Sequence, residues 1–115
     1  MQILEKNWHL VEEMTERLKK LKPHKVILFG SYADGNPTED SDLDVAVILD
    51  SNEILETFTE RMNRSRPVSK AVREVNYKIA MDILVYSKAE VDYLIREGND
   101  FVKEIENKGK VLYEK

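Results

Sequence analysis

The chain has no cysteine, which excludes disulfides, thiolate nucleophiles and cysteine-ligated zinc or iron–sulfur centres. Any metal it binds must rest on oxygen or imidazole. Proline (three) and glycine (four) are scarce, and neither a linker, a low-complexity tract nor an internal repeat divides the sequence. Long apolar runs are missing too. The stretch from Met1 to Leu21 is broken every few residues by Glu, Lys and Arg, which suits neither a signal peptide nor a membrane span, so a cytoplasmic protein is expected. Basic charge is not in excess. Eighteen Lys and Arg stand against twenty-two Asp and Glu for a net charge of −4, which removes a general nucleic-acid coat and leaves direct nucleic-acid binding open. What is present, 42% apolar and 35% charged residues in 115, is enough for one packed domain over 1–115 and too little for two.

Apolar residues at Leu4, Trp8, Val11, Met14, Leu18 and Leu21 recur every three or four positions and predict an amphipathic helix that Pro23 ends. Lys25 to Phe29 is short and rich in β-branched residues, a buried strand that stops at Gly30. A turn and a short helical piece around Tyr32 and Ala33 lead to a second strand, Asp42 to Leu49. Ser51-Asn52-Glu53 is read as the start of a helix through Ile54, Leu55, Phe58 and Met62 that ends or bends at Pro67, with a further helical stretch from Val68 to Val75. Ile79 to Val85 is a third strand. Ser87 caps a helix through Leu94 and Ile95, Gly98-Asn99 breaks it, Phe101, Val102 and Ile105 support another helix, and Val111-Leu112-Tyr113 close the chain. The expected architecture is a mixed α/β (α+β) domain with a small sheet, helices packed mainly on one face, and an acidic cluster at one edge.

That cluster carries the chemistry. Between Gly30 and Asp50 lie Asp34, Glu39, Asp40, Asp42, Asp44 and Asp50, without one Lys or Arg. On a strand Asp42 and Asp44 share a face about 6.5 Å apart at the backbone, close enough for their side chains to converge. Like charges so placed repel and raise a pKa, and a divalent cation relieves them. All-oxygen ligation points to magnesium, with manganese possible. Asp82 interrupts an otherwise apolar strand, where an unpaired carboxylate costs several kcal/mol. If its strand lies beside Asp42 and Asp44, the three can hold two metal ions about 3.5–4 Å apart, as in-line phosphoryl or nucleotidyl transfer requires. Asp82 is then a candidate for the nucleophile side and for accepting the proton. Upstream, Gly30-Ser31 at a strand end lets backbone approach a phosphate, with N–H groups and a hydroxyl as donors.

Taken together, Gly30-Ser31-Tyr32-Ala33-Asp34-Gly35, then Ser41-Asp42-Leu43-Asp44-Val45-Ala46-Val47, then Asp82 within a strand, resemble the GSxAxG…SDxDxxV signature of nucleotidyltransferases of the DNA polymerase beta superfamily. The resemblance spans about residues 25–86 and the helix before them. In size the chain resembles the minimal nucleotidyltransferases of prokaryotes, which act as antitoxins beside a HEPN-domain toxin. The resemblance implies a polymerase-beta-like fold, Gly30 and Ser31 on the nucleotide phosphates, Asp42 and Asp44 on both metals, and Asp82 completing the site. Ser41, before the first aspartate, is read as orienting the loop. It further implies magnesium-dependent transfer of AMP from ATP to a hydroxyl, a tyrosine of a HEPN toxin first and an aminoglycoside-type small molecule second. The rival from another class is a non-catalytic antitoxin that inhibits its partner by contact. Larger members append a helical domain that grips base or acceptor, and a partner chain or second copy must supply that surface here.

From Arg61 to Lys78, six basic residues face only Glu74. They form a solvated helix face, or steer triphosphate, or meet an acidic partner or RNA. His9 and His24 are not at metal-ligand spacing and are given no role. Trp8 and the methionines are read as packing residues.

Overall fold

The computed structural model describes residues 2–38 and 40–115, with side chains from Asn7 onward. Glu39 and the side chain of Leu4, both used above, lie outside the described residues.

Helix α1, Gln2–Lys19, buries Leu10, Val11, Met14 and Leu18 on one side. It ends ahead of Pro23, in a tight turn closed by Leu21 N–H on Leu18 O and Lys22 N–H on Lys19 O. Lys22 takes a φ of 53° there. Leu21, expected in the apolar stripe, lies beyond the helix and is exposed. The turn delivers the chain into β1, Lys25–Phe29. After the four-residue α2, Ser31–Asp34, comes β2, Leu43–Leu49, antiparallel to β1. Two helical pieces, α3 (Phe58–Ala71) and α4 (Arg73–Asn76), cross over to β3, Met81–Ser87, which runs parallel to β2. Helices α5, Lys88–Arg96, and α6, Asp100–Lys108, precede β4, Lys110–Glu114, which is antiparallel to β1. The four described strands form one mixed sheet in the order β3-β2-β1-β4.

The period-two pattern of the strands divides the core. Val26, Leu28, Leu43, Val45 and Val47 face α1, α3 and α4 and pack against Val11, Met14, Leu18, Val68, Val72 and Val75. Ile27, Ala46 and Ile48 face the other way, onto Val91 of α5 and Val102 and Ile105 of α6. Helices mainly on one face therefore describes the larger core. A thinner second layer covers the opposite face, and that layer builds the site.

Two expectations for the crossover need correction. Residues 51–56 are not helical. The Ser51 hydroxyl accepts from Glu53 N–H in a local turn, whereas Thr57 accepts from Glu60 N–H and the Glu60 carboxylate accepts from Thr57 N–H, a reciprocal cap that fixes the start of α3. Nor does Pro67 end the helix. It lies inside α3 at an exposed position, and Val68 and Val72 beyond it are buried in the larger core. Packing of that face outweighs one missing backbone donor.

Arg64 ties α3 to the rest. Its Nη2 donates to Val85 O at 3.0 Å, and its Nη1 lies 2.8 Å from Glu90 Oε1, close but poorly aligned, so the attraction is mainly ionic. The Glu90 carboxylate also accepts from the N–H groups of Leu55 and Ser87. Burial pushes the Glu90 carboxyl up, but the guanidinium and the two backbone donors outweigh it and hold its pKa below the usual 4.5. Both side chains are about nine-tenths buried, so removing one partner strands the other charge. Arg64→Met should lower the unfolding free energy by about 3–5 kcal/mol in urea titrations at neutral pH. Because the folded pKa of Glu90 is depressed, its stabilisation is present above about pH 4.5 and lost as pH falls through the lower folded value. The penalty of the variant should therefore shrink on acidification.

Candidate active site

Strand alternation puts Asp44 on the α5/α6 side of β2, between two neighbours. In the antiparallel pair it is opposite Phe29, and in the parallel pair it is opposite Asp82. Residues in register on adjacent strands share a face about 4.8 Å apart, so the two carboxylates stand side by side. Beyond Phe29 the chain turns at Gly30, whose φ of 74° and ψ of −155° belong to glycine alone. A Cβ at Gly30 would overlap Asp44 Oδ2. The glycine is thus required both by its backbone conformation and by the carboxylate seated against it.

These residues line a cavity of about 430 Å³, together with Ala33 and Asp34 of α2 and with Phe101, Glu104, Ile105 and Lys108 of α6. The size suits a small-molecule ligand. Asp42 is exposed one residue before β2 and is not among the described lining residues. Ser31 opens α2 and is likewise outside that lining, its carbonyl accepting from Asn36 N–H. Of the five expected residues, the structure brings Gly30, Asp44 and Asp82 to one cavity, and Asp42 and Ser31 are outside its described lining. Ser41 holds the loop before β2, its hydroxyl accepting from Thr38 N–H.

Asp44 carries the strain of this arrangement. Burial pushes its pKa above the usual 3.8, and the charges of Asp82 and then Asp42 push it further. No described Lys or Arg forms an ion pair with any of the three. They share one field, yet among the described residues no three His, Cys, Asp or Glu side chains are grouped closely enough to hold a metal ion. Magnesium needs only one or two protein carboxylates when water and phosphate fill its other positions. The donor set therefore fits a cation that arrives partly dressed by its substrate.

The acidic window of the sequence divides at this point. Asp50, at the far end of β2, is paired with Lys115 at 2.7 Å and Lys88 at 2.8 Å, and hydrogen bonding to them lowers its pKa to about 2. It belongs to the scaffold. The basic segment divides as well. Arg61 donates to the carbonyls of Leu55 and Glu56, Arg64 holds Glu90, and none of the six basic residues lines the cavity. Sequence reading missed the α6 wall. Phe101, Ile105 and Lys108 recur at i, i+4 and i+7, a helical face that was legible as amphipathic but not as a wall of this cavity. Lys108 is the one cation in the described lining, and it lies 3.5 Å from Glu104.

A carboxyl with a raised folded pKa destabilises the fold wherever it is ionised. The Asp44 penalty is absent below about pH 3.8, where the group is protonated in both states, and grows as pH rises through the folded value. Asp44→Asn should therefore raise stability at neutral pH by roughly 0.2–1 kcal/mol, the scale of a cross-strand pair. The advantage should vanish in thermal melts near pH 3.

The carboxylate pair, the glycine beneath it and the cavity they share are chemistry suited to a polyphosphate. Residues 12–115 match the family described as polymerase beta nucleotidyltransferase, a span that takes in all four strands and the whole cavity lining. The chain is also similar to the "Putative protein adenylyltransferase MJ0141" of Methanocaldococcus jannaschii, at 30% identity over 109 residues, 95% of this chain and 97% of that protein. With a family match over nearly its entire length, the chain belongs to the polymerase beta nucleotidyltransferases.

Proposed function

We propose that the protein transfers AMP from ATP to the hydroxyl of a partner protein, a tyrosine of a HEPN-domain toxin, and so acts as the antitoxin of a pair. The observation that carries the transfer is the registration of Asp44 with Asp82 over Gly30 at the floor of one cavity. The adenylyl donor and protein acceptor rest on the similarity to a protein described as a protein adenylyltransferase. The toxin partner rests on the resemblance in size and motif to minimal nucleotidyltransferases, and the α5/α6 layer, only two short helices thick, fits an acceptor surface supplied by another chain.

In this reading the acceptor oxygen attacks the α-phosphorus. A new P–O ester bond forms, the bond from the α-phosphorus to the bridging oxygen breaks, and pyrophosphate leaves with the electron pair. Asp82, exposed on the edge strand beside the cavity, accepts the hydroxyl proton. Gly30 lets its backbone approach the phosphates, and Ser31 offers a hydroxyl at the mouth. Lys108, in the cavity lining, would meet phosphate oxygens from the α6 side. Asp44, with Asp42 and Asp82 beside it, would hold magnesium or manganese, which when bound neutralises the carboxylates and the triphosphate. Positioning and charge neutralisation supply most of the rate.

Incubation with α-labelled ATP, magnesium and the partner encoded beside this protein should place label on the partner and release pyrophosphate. Asp44→Asn and Asp82→Asn should each reduce labelling by at least about 10²-fold, the scale of losing one preorganised charged group, while remaining folded by circular dichroism. A partner that is inhibited without label would establish inhibition by contact instead. Label on an aminoglycoside but not on the protein would move the acceptor to small molecules.

A further inference from the structure

Phe101 is at odds with its neighbours on α6. Val102 and Ile105 turn into the core of the second layer, but Phe101 stays 51% exposed in the wall of the cavity that holds Asp44 and Asp82. An aromatic ring left that open forgoes much of the gain from burial. It is not loose. Its ring meets Phe29 edge to face, with centroids 5.9 Å apart and planes at 85°, and Phe29 is the residue directly before Gly30 and directly opposite Asp44. A rigid, half-exposed aromatic is thereby coupled through one residue to the phosphate end of the site. The cavity lining combines the carboxylates Asp34, Asp44 and Asp82 with the apolar Phe29, Phe101 and Ile105, and α6 adds Glu104 and Lys108. A nucleotide likewise joins a charged part, its anionic tail, to a flat apolar one, its base.

We infer that Phe101 is the base platform of this site, a surface on which the nucleobase of the bound triphosphate stacks while Phe29 holds the ring in place. The inference rests on the proposed nucleotidyl transfer and extends it to a recognition element on α6. Stacking is sequence-tolerant because every base has a π-face. Phe101 therefore supplies affinity for a nucleotide over bare polyphosphate, and little choice among purines.

Calorimetric titration of the full chain with magnesium separates the two ideas, using α,β-methylene ATP as a nucleotide that cannot be cleaved and tripolyphosphate as a tail without a base. Wild type should bind the nucleotide more tightly than tripolyphosphate. Phe101→Leu, which keeps apolar volume against Phe29, should weaken the nucleotide roughly 5-fold or more, the lower end of aromatic stacking, and leave tripolyphosphate unchanged. Phe101→Trp should restore the preference. Equal weakening of both ligands, or no weakening of the nucleotide, overturns the platform and leaves the phosphate site standing. If wild type binds neither ligand, the nucleotidyltransferase reading fails and the platform falls with it. Binding of tripolyphosphate as tightly as the nucleotide by wild type removes the platform alone.

Discussion

One carboxylate organises this molecule. Asp44 is half-buried on an inner strand, in register with Asp82 and seated against a glycine that leaves no room for a side chain. Nothing about stability asks for this, since burial and two neighbouring anions all disfavour its charge. Like charges facing each other across a parallel pair work against the sheet. The arrangement persists because the rest of the fold over-determines it, and such local cost, offset elsewhere, marks a site of function.

The parallel register has a topological consequence. Parallel neighbours cannot be joined by a hairpin and need a crossover of a dozen residues or more. Here the crossover is the loop at 51–56 with α3 and α4, and it lies on the face that α1 also covers, so the larger core is built by the connection that aligns the two aspartates. Val68, Val72 and Val75 of the crossover meet Met14 and Leu18 of α1 over the sheet. The opposite face is left to α5 and α6, which bury Val91, Val102 and Ile105 but do not close over the carboxylate end. Stability and chemistry are thus segregated by face, with the sheet as the partition. Glu90 couples the two layers. From α5 it reaches Arg64 on α3 and the loop at Leu55, so the end of the sheet away from the cavity is held by a buried ion pair.

Much of this was legible in the chain because it follows from alternation. Asp44 and Asp82 do meet at one cavity, but Asp42 precedes β2 and is absent from the described lining, and Asp82 is exposed on the edge strand rather than set in the dry interior its apolar neighbours suggested. What was not legible depends on partners distant in sequence. Ser51 and Thr57 are both plausible helix caps, and only Thr57 has a glutamate three residues on to complete a capping box. That glutamate is what distinguishes the two. Local geometry at Pro67 says nothing of the buried face that the proline interrupts. Asp50 sits in the same acidic window as Asp44, yet Lys88 and Lys115, which neutralise it, are far along the chain. In the basic run Arg61, Arg66, Lys70, Arg73 and Lys78 are exposed, as a solvated face requires, whereas the structural partner of Arg64 is revealed only by the folded chain. The wall of α6 was hidden for a related reason. An amphipathic helix announces that it packs, but not which cavity its other side completes.

The electrostatics of the cavity then limit what can enter it. Asp34, Asp44, Asp82 and Glu104 line it with Lys108 as the one described cation, and Lys108 lies close to Glu104. A bare triphosphate would be repelled, since no Arg or Lys of the basic segment is among the described lining residues. In a partly desolvated cleft that repulsion is larger than it would be in water. Under the proposed reading the site therefore recognises the sum of two things, an anionic tail and the divalent charge that accompanies it, and the protein contributes the negative half of that balance. The same logic explains why a raised Asp44 is useful. A carboxylate that is costly when alone gains most when a cation arrives, so under that reading its charge favours the loaded substrate over the bare one.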